Sequence, residues 1–362
     1  VATLPYWRLS GFYLFYFALL GATAPFLALY FNHLGFSSAR IGELVAIPML
    51  MRCVAPNLWG WLGDYSGQRL LIVRLGALCT LCSFALIFVS QSYAWLALVM
   101  ALHAFFWHAV LPQFEVITFA HLREQPERYS QIRLWGSIGF ILAVVILGRL
   151  FEWLSLDIYP VALLVIMAGI VLCSLWVPNA QPSSLGRKQV EGGFLKQLFS
   201  PGVLAFYACV ALMQMSHGPY YTFLTLHLEH LGYSRGVIGL LWALGVVAEV
   251  LMFLAMRRIL LKFSVRRVLM FSFILAALRC LALAVAGVFC RAPVGVAVGA
   301  AAARRHLWQF SCLGHGLCAT QFRSRPARPG PGPVRHAGRY RWRRGGAVLR
   351  LQLEHPGPRF HL

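Results

Sequence analysis

Apolar runs of about twenty residues recur along this chain, separated by short polar stretches. Nine can be read, at about 9–31, 41–62, 70–90, 93–119, 132–152, 158–177, 201–226, 236–256 and 266–287. A helix of roughly 20 apolar residues crosses a hydrocarbon core about 30 Å thick. Backbone groups in lipid must find partners inside their own segment, so the runs are predicted as helices and not strands. The pattern predicts an all-α, multi-pass membrane protein with about nine recognisable transmembrane helices. The first run is too long for a signal-peptide core and has no clear small-residue cleavage site, so it is expected to remain as a span.

Composition supports this reading. Of 362 residues, 59% are hydrophobic and 12% charged, against about 25% charged in ordinary soluble domains. Six of the nine cysteines (Cys53, Cys79, Cys82, Cys173, Cys209, Cys280) fall within predicted spans. There they act as small apolar residues. The Cys79-x-x-Cys82 pair has no partner cluster nearby and is expected to serve helix packing; no metal or other cofactor is expected.

The net charge of +21 is unevenly spread. Residues 1–287 carry 19 basic and 10 acidic groups, whereas residues 288–362 carry 13 arginines, no lysine and the single acid Glu354. With the N-terminus placed in the cytoplasm, the inner connections hold 14 basic residues, from Arg8 through Arg69, Arg74 and Arg133 to Arg266 and Arg267. The outer connections hold three, Arg40, Arg149 and Arg235. That asymmetry is the positive-inside bias and predicts a cytoplasmic N-terminus.

The chain also repeats itself. His33-Leu34-Gly35-Phe36-Ser37 with Ile41-Gly42 recurs as His230-Leu231-Gly232-Tyr233-Ser234 with Ile238-Gly239, an offset of 197 residues. Six spans and a polar stretch separate matched positions, so both copies thread the membrane in the same sense. This organisation predicts an N-terminal six-helix bundle over 1–177 and an inter-bundle linker over 178–200. Residues 201–287 would then be the first three helices of a second bundle, related to the first by an axis along the membrane normal.

Charged residues inside spans normally face a bundle interior or a wet cavity, since each costs roughly 2.5–3.5 kcal/mol at mid-bilayer on insertion scales. Here they are Arg52, Glu115, Glu249 and Arg279. His108 precedes Glu115 by seven residues, two helical turns, with Pro112 between them. Gln214, His217 and Tyr221 share a face of the seventh span. Desolvation favours the neutral carboxyl, and a neighbouring arginine favours the anion; together they suit a proton carrier. Glu115 and Glu249 are therefore the proton-coupling candidates. Arg52 and Arg279 are candidates for ion-pair partners or for gripping a substrate carboxylate. A buried ion pair that only fixes helix packing is the plainer alternative, and for His103, His108 and His217 a hydrogen-bonded core residue is the favoured one.

The loop between the second and third spans reads Gly60-Trp61-Leu62-Gly63-Asp64-Tyr65-Ser66-Gly67-Gln68-Arg69. It resembles the GxLaDrxGrk signature of the major facilitator superfamily, with Gly60, Asp64, Gly67 and Arg69 as its gating loop. The resemblance implies close approach of helix ends at the glycines and charge pairs that stabilise one gate state. Tyr65 and Gln68 replace usual basic residues. Two further runs, Tyr129 to Phe140 (with Arg133-Leu134-Trp135-Gly136-Ser137) and Ser216 to Val250, resemble the 3-phenylpropionate permease branch and its nucleoside-proton and oligosaccharide symporter relatives. Over about residues 8–287, the resemblance implies a monomeric bacterial inner-membrane symporter that moves protons with a small organic solute such as an aromatic acid. Proton-coupled export, nucleoside or sugar symport and a non-transporting membrane sensor are the alternatives. No HExxH, nucleophile-base pair or phosphate-binding glycine loop suggests an enzyme.

A complete member of that superfamily has twelve spans. Residues 288–362 instead contain 13 Arg, 10 Gly, 10 Ala and 7 Pro. On charge alone, Arg339 to Arg344 with Tyr340 and Trp342 look like a nucleic-acid arm. GC-rich DNA read out of frame yields the same composition, and that is the expectation here, with the shift at about 279–292 and no nucleic-acid partner. The Cys312, His315 and Cys318 group is then accidental, and transport by the chain as written is expected to be poor or absent.

Overall fold

The computed structural model describes residues 4–122, 125–179 and 199–289. Among them are nine α-helices and no strand. They are α1 (Tyr6–His33), α2 (Ser38–Ser66), α3 (Arg69–Ala85), α4 (Tyr93–His121), α5 (Tyr129–Trp153), α6 (Tyr159–Trp176), α7 (Pro201–His230), α8 (Arg235–Lys262) and α9 (Val265–Phe289). Each apolar run of the sequence is one of these helices. Seven helical segments among the described residues are long and apolar enough to cross a membrane. Most of 288–362, expected as an aberrant tail, most of 178–200, expected as a linker, and Arg123 fall outside the described residues.

The proposed repeat is present in the backbone. After α1, Leu34, Gly35 and Phe36 donate to the carbonyls of Tyr30, Asn32 and Phe31 at 3.0, 2.9 and 3.2 Å. After α7, Leu231, Gly232 and Tyr233 donate to His227, Glu229 and Leu228 at 3.1, 2.9 and 3.1 Å, the same bonds 197 residues on. Gly35 and Gly232 hold φ of +84° and +85°, a left-handed conformation that only glycine adopts without strain. Ser37 and Ser234 then open α2 and α8 in matching extended conformations.

Small residues set the closest helix contacts, as is usual where lipid removes any hydrophobic drive between helices. Gly21 of α1 faces the Phe140 carbonyl of α5, and Gly139 of α5 faces the Leu14 carbonyl of α1. Phe12 and Phe114 stack at 3.6 Å and tie α1 to α4. A large apolar cluster fills the first bundle. A second, around Phe140, Val144, Tyr220, Leu224, Ile238 and Trp242, joins α5 to α7 and α8. Outward-facing apolar residues such as Leu71, Leu75, Ile146 and Leu172 form a surface suited to lipid.

The end of α6 is clasped by two arginines. Arg74 donates to the carbonyls of Ser174, Leu175 and Val177, and Arg8 to that of Trp176. These cations complement the negative end of the helix.

Candidate transport site and gate

The stretch from Gly60 to Arg69, expected to act as a gating loop, forms a bonded network. Gly67 ends α2 at φ +67°, its N–H on the Gly63 carbonyl at 3.1 Å. Asp64 and Arg69 form an ion pair. Arg69 also donates to Gln113 Oε1 of α4 at 2.6 Å, and Gln113 Nε2 donates to the Trp59 carbonyl at 3.0 Å. The close approach expected of the loop glycines occurs at Gly63, where an added Cβ would stand 2.5 Å from Gln113 Oε1. At Gly60 an added Cβ would meet nothing within 4 Å. Buried Gln113 ties the ends of α2, α3 and α4 together. Sequence reading passed over it because an amide carries no charge to mark it.

A second constellation lies on α1, α4 and α5. Glu115 of α4 is half-buried and accepts from Tyr129 Oη at 3.4 Å. Tyr13 Oη donates to Thr118 Oγ1 at 3.3 Å, one turn from Glu115. Arg133 of α5 stacks its guanidinium 3.7 Å over the Phe17 ring and 5.9 Å over Tyr13. Gly136 makes room for that stack, since a Cβ there would meet both Arg133 Nη1 and Phe17 Cδ2 at 2.7 Å. The hydroxyls of Tyr13, Tyr16 and Tyr129 each lie in electrostatic range of both Glu115 and Arg133.

Arg52, the partner expected for Glu115, is exposed, and its electrostatic neighbours are Tyr16 and His108. His108 is hydrogen-bonded through Nε2 to the Pro48 carbonyl at 3.2 Å. Arg133 is thus the cation that shares the tyrosine trio with Glu115. The count of basic residues placed it with the inner connections, whereas α5 begins at Tyr129 and carries Arg133 one turn inside. His103 is a core residue, buried against Phe84 and Trp107.

In the second half, His217 is buried, with Nδ1 2.6 Å from the Met213 carbonyl, and its ring stacks on Tyr221. Tyr221 in turn packs on Trp242, whose Nε1 donates to Thr225 Oγ1 at 3.1 Å. Gln214, on the same predicted face, is exposed instead of joining this packing. Glu249 is half-buried on α8. Arg279 is on α9, with its side chain outside the described residues. Phe17, the ring beneath Arg133, packs against the same apolar cluster as Tyr221, so that cluster takes aromatic residues from both halves. Among the described residues no group of three or more metal-ligating side chains occurs.

A helical repeat with half-buried charged side chains within its apolar helices defines a polytopic membrane protein of the transporter type. Residues 6–308 match the model of the MFS_1 like family, and the chain belongs to that family of major facilitator transporters. The match ends within the Arg-, Gly-, Pro- and Ala-rich stretch. The chain is 28% identical over 274 residues to a protein of Escherichia coli (strain K12) named as a probable 3-phenylpropionic acid transporter, covering 75% of this chain and 72% of that one. It is 27% identical over 285 residues to a maltose permease of Geobacillus stearothermophilus, covering 76% and 71%. A crystal structure of a mutant nucleoside transporter NupG superposes with a TM-score of 0.74 at 18% identity, covering 86% of this chain and 82% of that one; this likeness bears on the fold.

Proposed function

We propose that this protein imports a small organic anion together with protons, with an arylalkanoic acid such as 3-phenylpropionate as the first substrate to test. The observation that carries the reading is Glu115 set with Arg133 among three tyrosine hydroxyls, beside the Phe17 and Tyr13 rings. A carboxyl at membrane depth can exchange a proton when an arginine beside it gains or loses an anionic partner. In this scheme the substrate carboxylate takes Arg133, Glu115 takes the proton, and the aromatic wall receives the ring. Glu249, His217 and Tyr221 face the same task from the second half, and Arg52 supplies a further cation near His108. The relative named for 3-phenylpropionic acid supports the choice of substrate.

The proposal extends to the tail: residues 288–362 are an out-of-frame reading, and a version with the frame restored transports where the chain as given does not. The test is uptake of labelled 3-phenylpropionate, maltose and uridine into proteoliposomes under an inward proton gradient. Accumulation of the aromatic acid that Glu115→Gln uncouples from the gradient supports the reading. Accumulation equally gradient-driven in Glu115→Gln removes Glu115 from the proton path. Robust uptake by the chain as given would refute the frame assignment.

A further inference from the structure

The membrane face opposite the Asp64–Arg69 loop carries a second set of bonds, and these run between the two halves. α5 ends beside the start of α8. Glu152 Oε1 of α5 accepts the backbone N–H of Gly236 at 2.9 Å, with the Ser234 hydroxyl also in hydrogen-bonding reach. Its other oxygen takes Arg149 Nη1 at 2.8 Å. In return, Arg235 Nη1 donates to the Phe151 carbonyl at 2.9 Å, while its Nε holds Glu229 at 2.9 Å. A carboxylate at the first turn of α8 meets the positive end of that helix and one of its unsatisfied donors.

Three glycines let the helices come this close. A Cβ on Gly148 would lie 2.8 Å from the Arg235 carbonyl, one on Gly236 2.7 Å from Glu152 Oε1, and one on Gly239 would strike the Val144 carbonyl. The apolar residues that bury the two halves against each other, Phe140 and Val144 with Leu224, Leu228, Ile238 and Trp242, lie in the parts of α5, α7 and α8 nearest this face. Near the Asp64–Arg69 loop the hydrogen bonds of Arg69 and Gln113 run within the first half.

We infer that Glu152 is the latch that holds this face closed, and that opening it during transport requires withdrawing Glu152 from the start of α8 and Arg235 from the end of α5. Glu152 is a positioning residue, since it acts by setting one half against the other. The inference rests on the transporter reading, because a rocking of halves about a central site is what would break these bonds. The geometry is specific to the seam: a charged acceptor on a backbone donor and a charged donor on a backbone carbonyl cross the same contact in opposite directions.

The test uses the full chain in lipid nanodiscs and does not depend on uptake, so its failure is distinguishable from that of the transport reading. Hydrogen exchange is followed for amides 149–154 and 235–240 in Glu152→Ala and in Arg149→Gln, the latter sparing the Gly236 bond. Exchange about tenfold faster at both segments in Glu152→Ala, with α1 and α3 unchanged and Arg149→Gln close to wild type, is the expected result. A second readout is maleimide labelling of Ala24→Cys, which packs against the inter-half cluster and is expected to react about fivefold faster once Glu152 is removed. Unchanged exchange at 235–240, acceleration spread evenly over α1 to α6, or unaltered labelling of Ala24→Cys would each overturn the latch.

Discussion

Two glycines one turn apart in α2 should respond to alanine in opposite directions, and the difference measures the gate network. Alanine is favoured over glycine inside a helix by roughly 0.5–1 kcal/mol, because less backbone entropy is lost. At Gly60 a new methyl meets nothing within 4 Å, so Gly60→Ala should stabilise by about that amount. At Gly63 the methyl would lie 2.5 Å from Oε1 and 2.9 Å from Cδ of buried Gln113. The amide must turn away, which releases its bonds to Arg69 and to the Trp59 carbonyl. A hydrogen bond to a charged group contributes about 1.5–3 kcal/mol and a neutral one about 0.5–1.5. With the helix gain set against this loss, Gly63→Ala should destabilise by roughly 1–4 kcal/mol. Equilibrium unfolding in mixed detergent micelles resolves a gap of that size. If Gly63→Ala behaves like Gly60→Ala, Gln113 does not join α2, α3 and α4 as described.

Gly35→Ala and Gly232→Ala each force a Cβ into the left-handed region with open space around it, so both should lose about 1–2 kcal/mol, and by equal amounts if the repeat holds in energy as it does in geometry. The same unfolding assay reads them. Arg133→Lys keeps the charge but loses the planar stack on Phe17, and in the frame-restored version should raise KM for an aromatic acid roughly tenfold. An unchanged KM would remove the guanidinium from the binding site. Arg74→Gln strips a cation from the carbonyls that end α6 and should cost about 1–2 kcal/mol, with the loss reported by earlier melting of α6 in hydrogen exchange.

The helices were legible because lipid imposes one rule on every segment, and nine apolar runs gave nine helices among the described residues. The repeat was legible for a similar reason: Gly35 and Gly232 are needed by a backbone conformation, so the turn leaves its mark in residue type. Contacts between distant helices left no such mark. Gln113 looks like any polar residue in an apolar run until Gly63 and Arg69 are placed around it. Arg133 was counted with the inner connections because it stands at the edge of an apolar run, while the helix already begins at Tyr129. Gln214 shares a helical face with His217 and Tyr221 by spacing alone, and the actual packing sorts the three differently. Periodicity assigns an angle around an axis, but what stands at that angle depends on helices elsewhere in the chain.

The repeat carries one consequence that neither half shows alone. Its offset maps α2 onto α8 and Gly42 onto Gly239. Gly239 is pressed on the backbone of α5 at Val144, whereas the nearest atom to a Cβ on Gly42 is Phe223 Cζ at 3.8 Å. Under a two-fold relation, the contact of α5 with α8 demands an equivalent contact between α2 and the second-half counterpart of α5. That counterpart would follow α9 by two helices, beyond the described residues. α2 shows the matching deficit: it is the least buried of the seven apolar spans, with Leu50, Val54, Leu58 and Trp61 exposed along it. The glycine at position 42 is thus prepared for a helix-helix seam like the one at Gly239. Supplying apolar spans by a corrected frame should bury α2 and slow hydrogen exchange at residues 40–46 to the rate seen at 237–243. If exchange at residues 40–46 does not slow when such spans are restored, the two-fold relation does not extend to this seam.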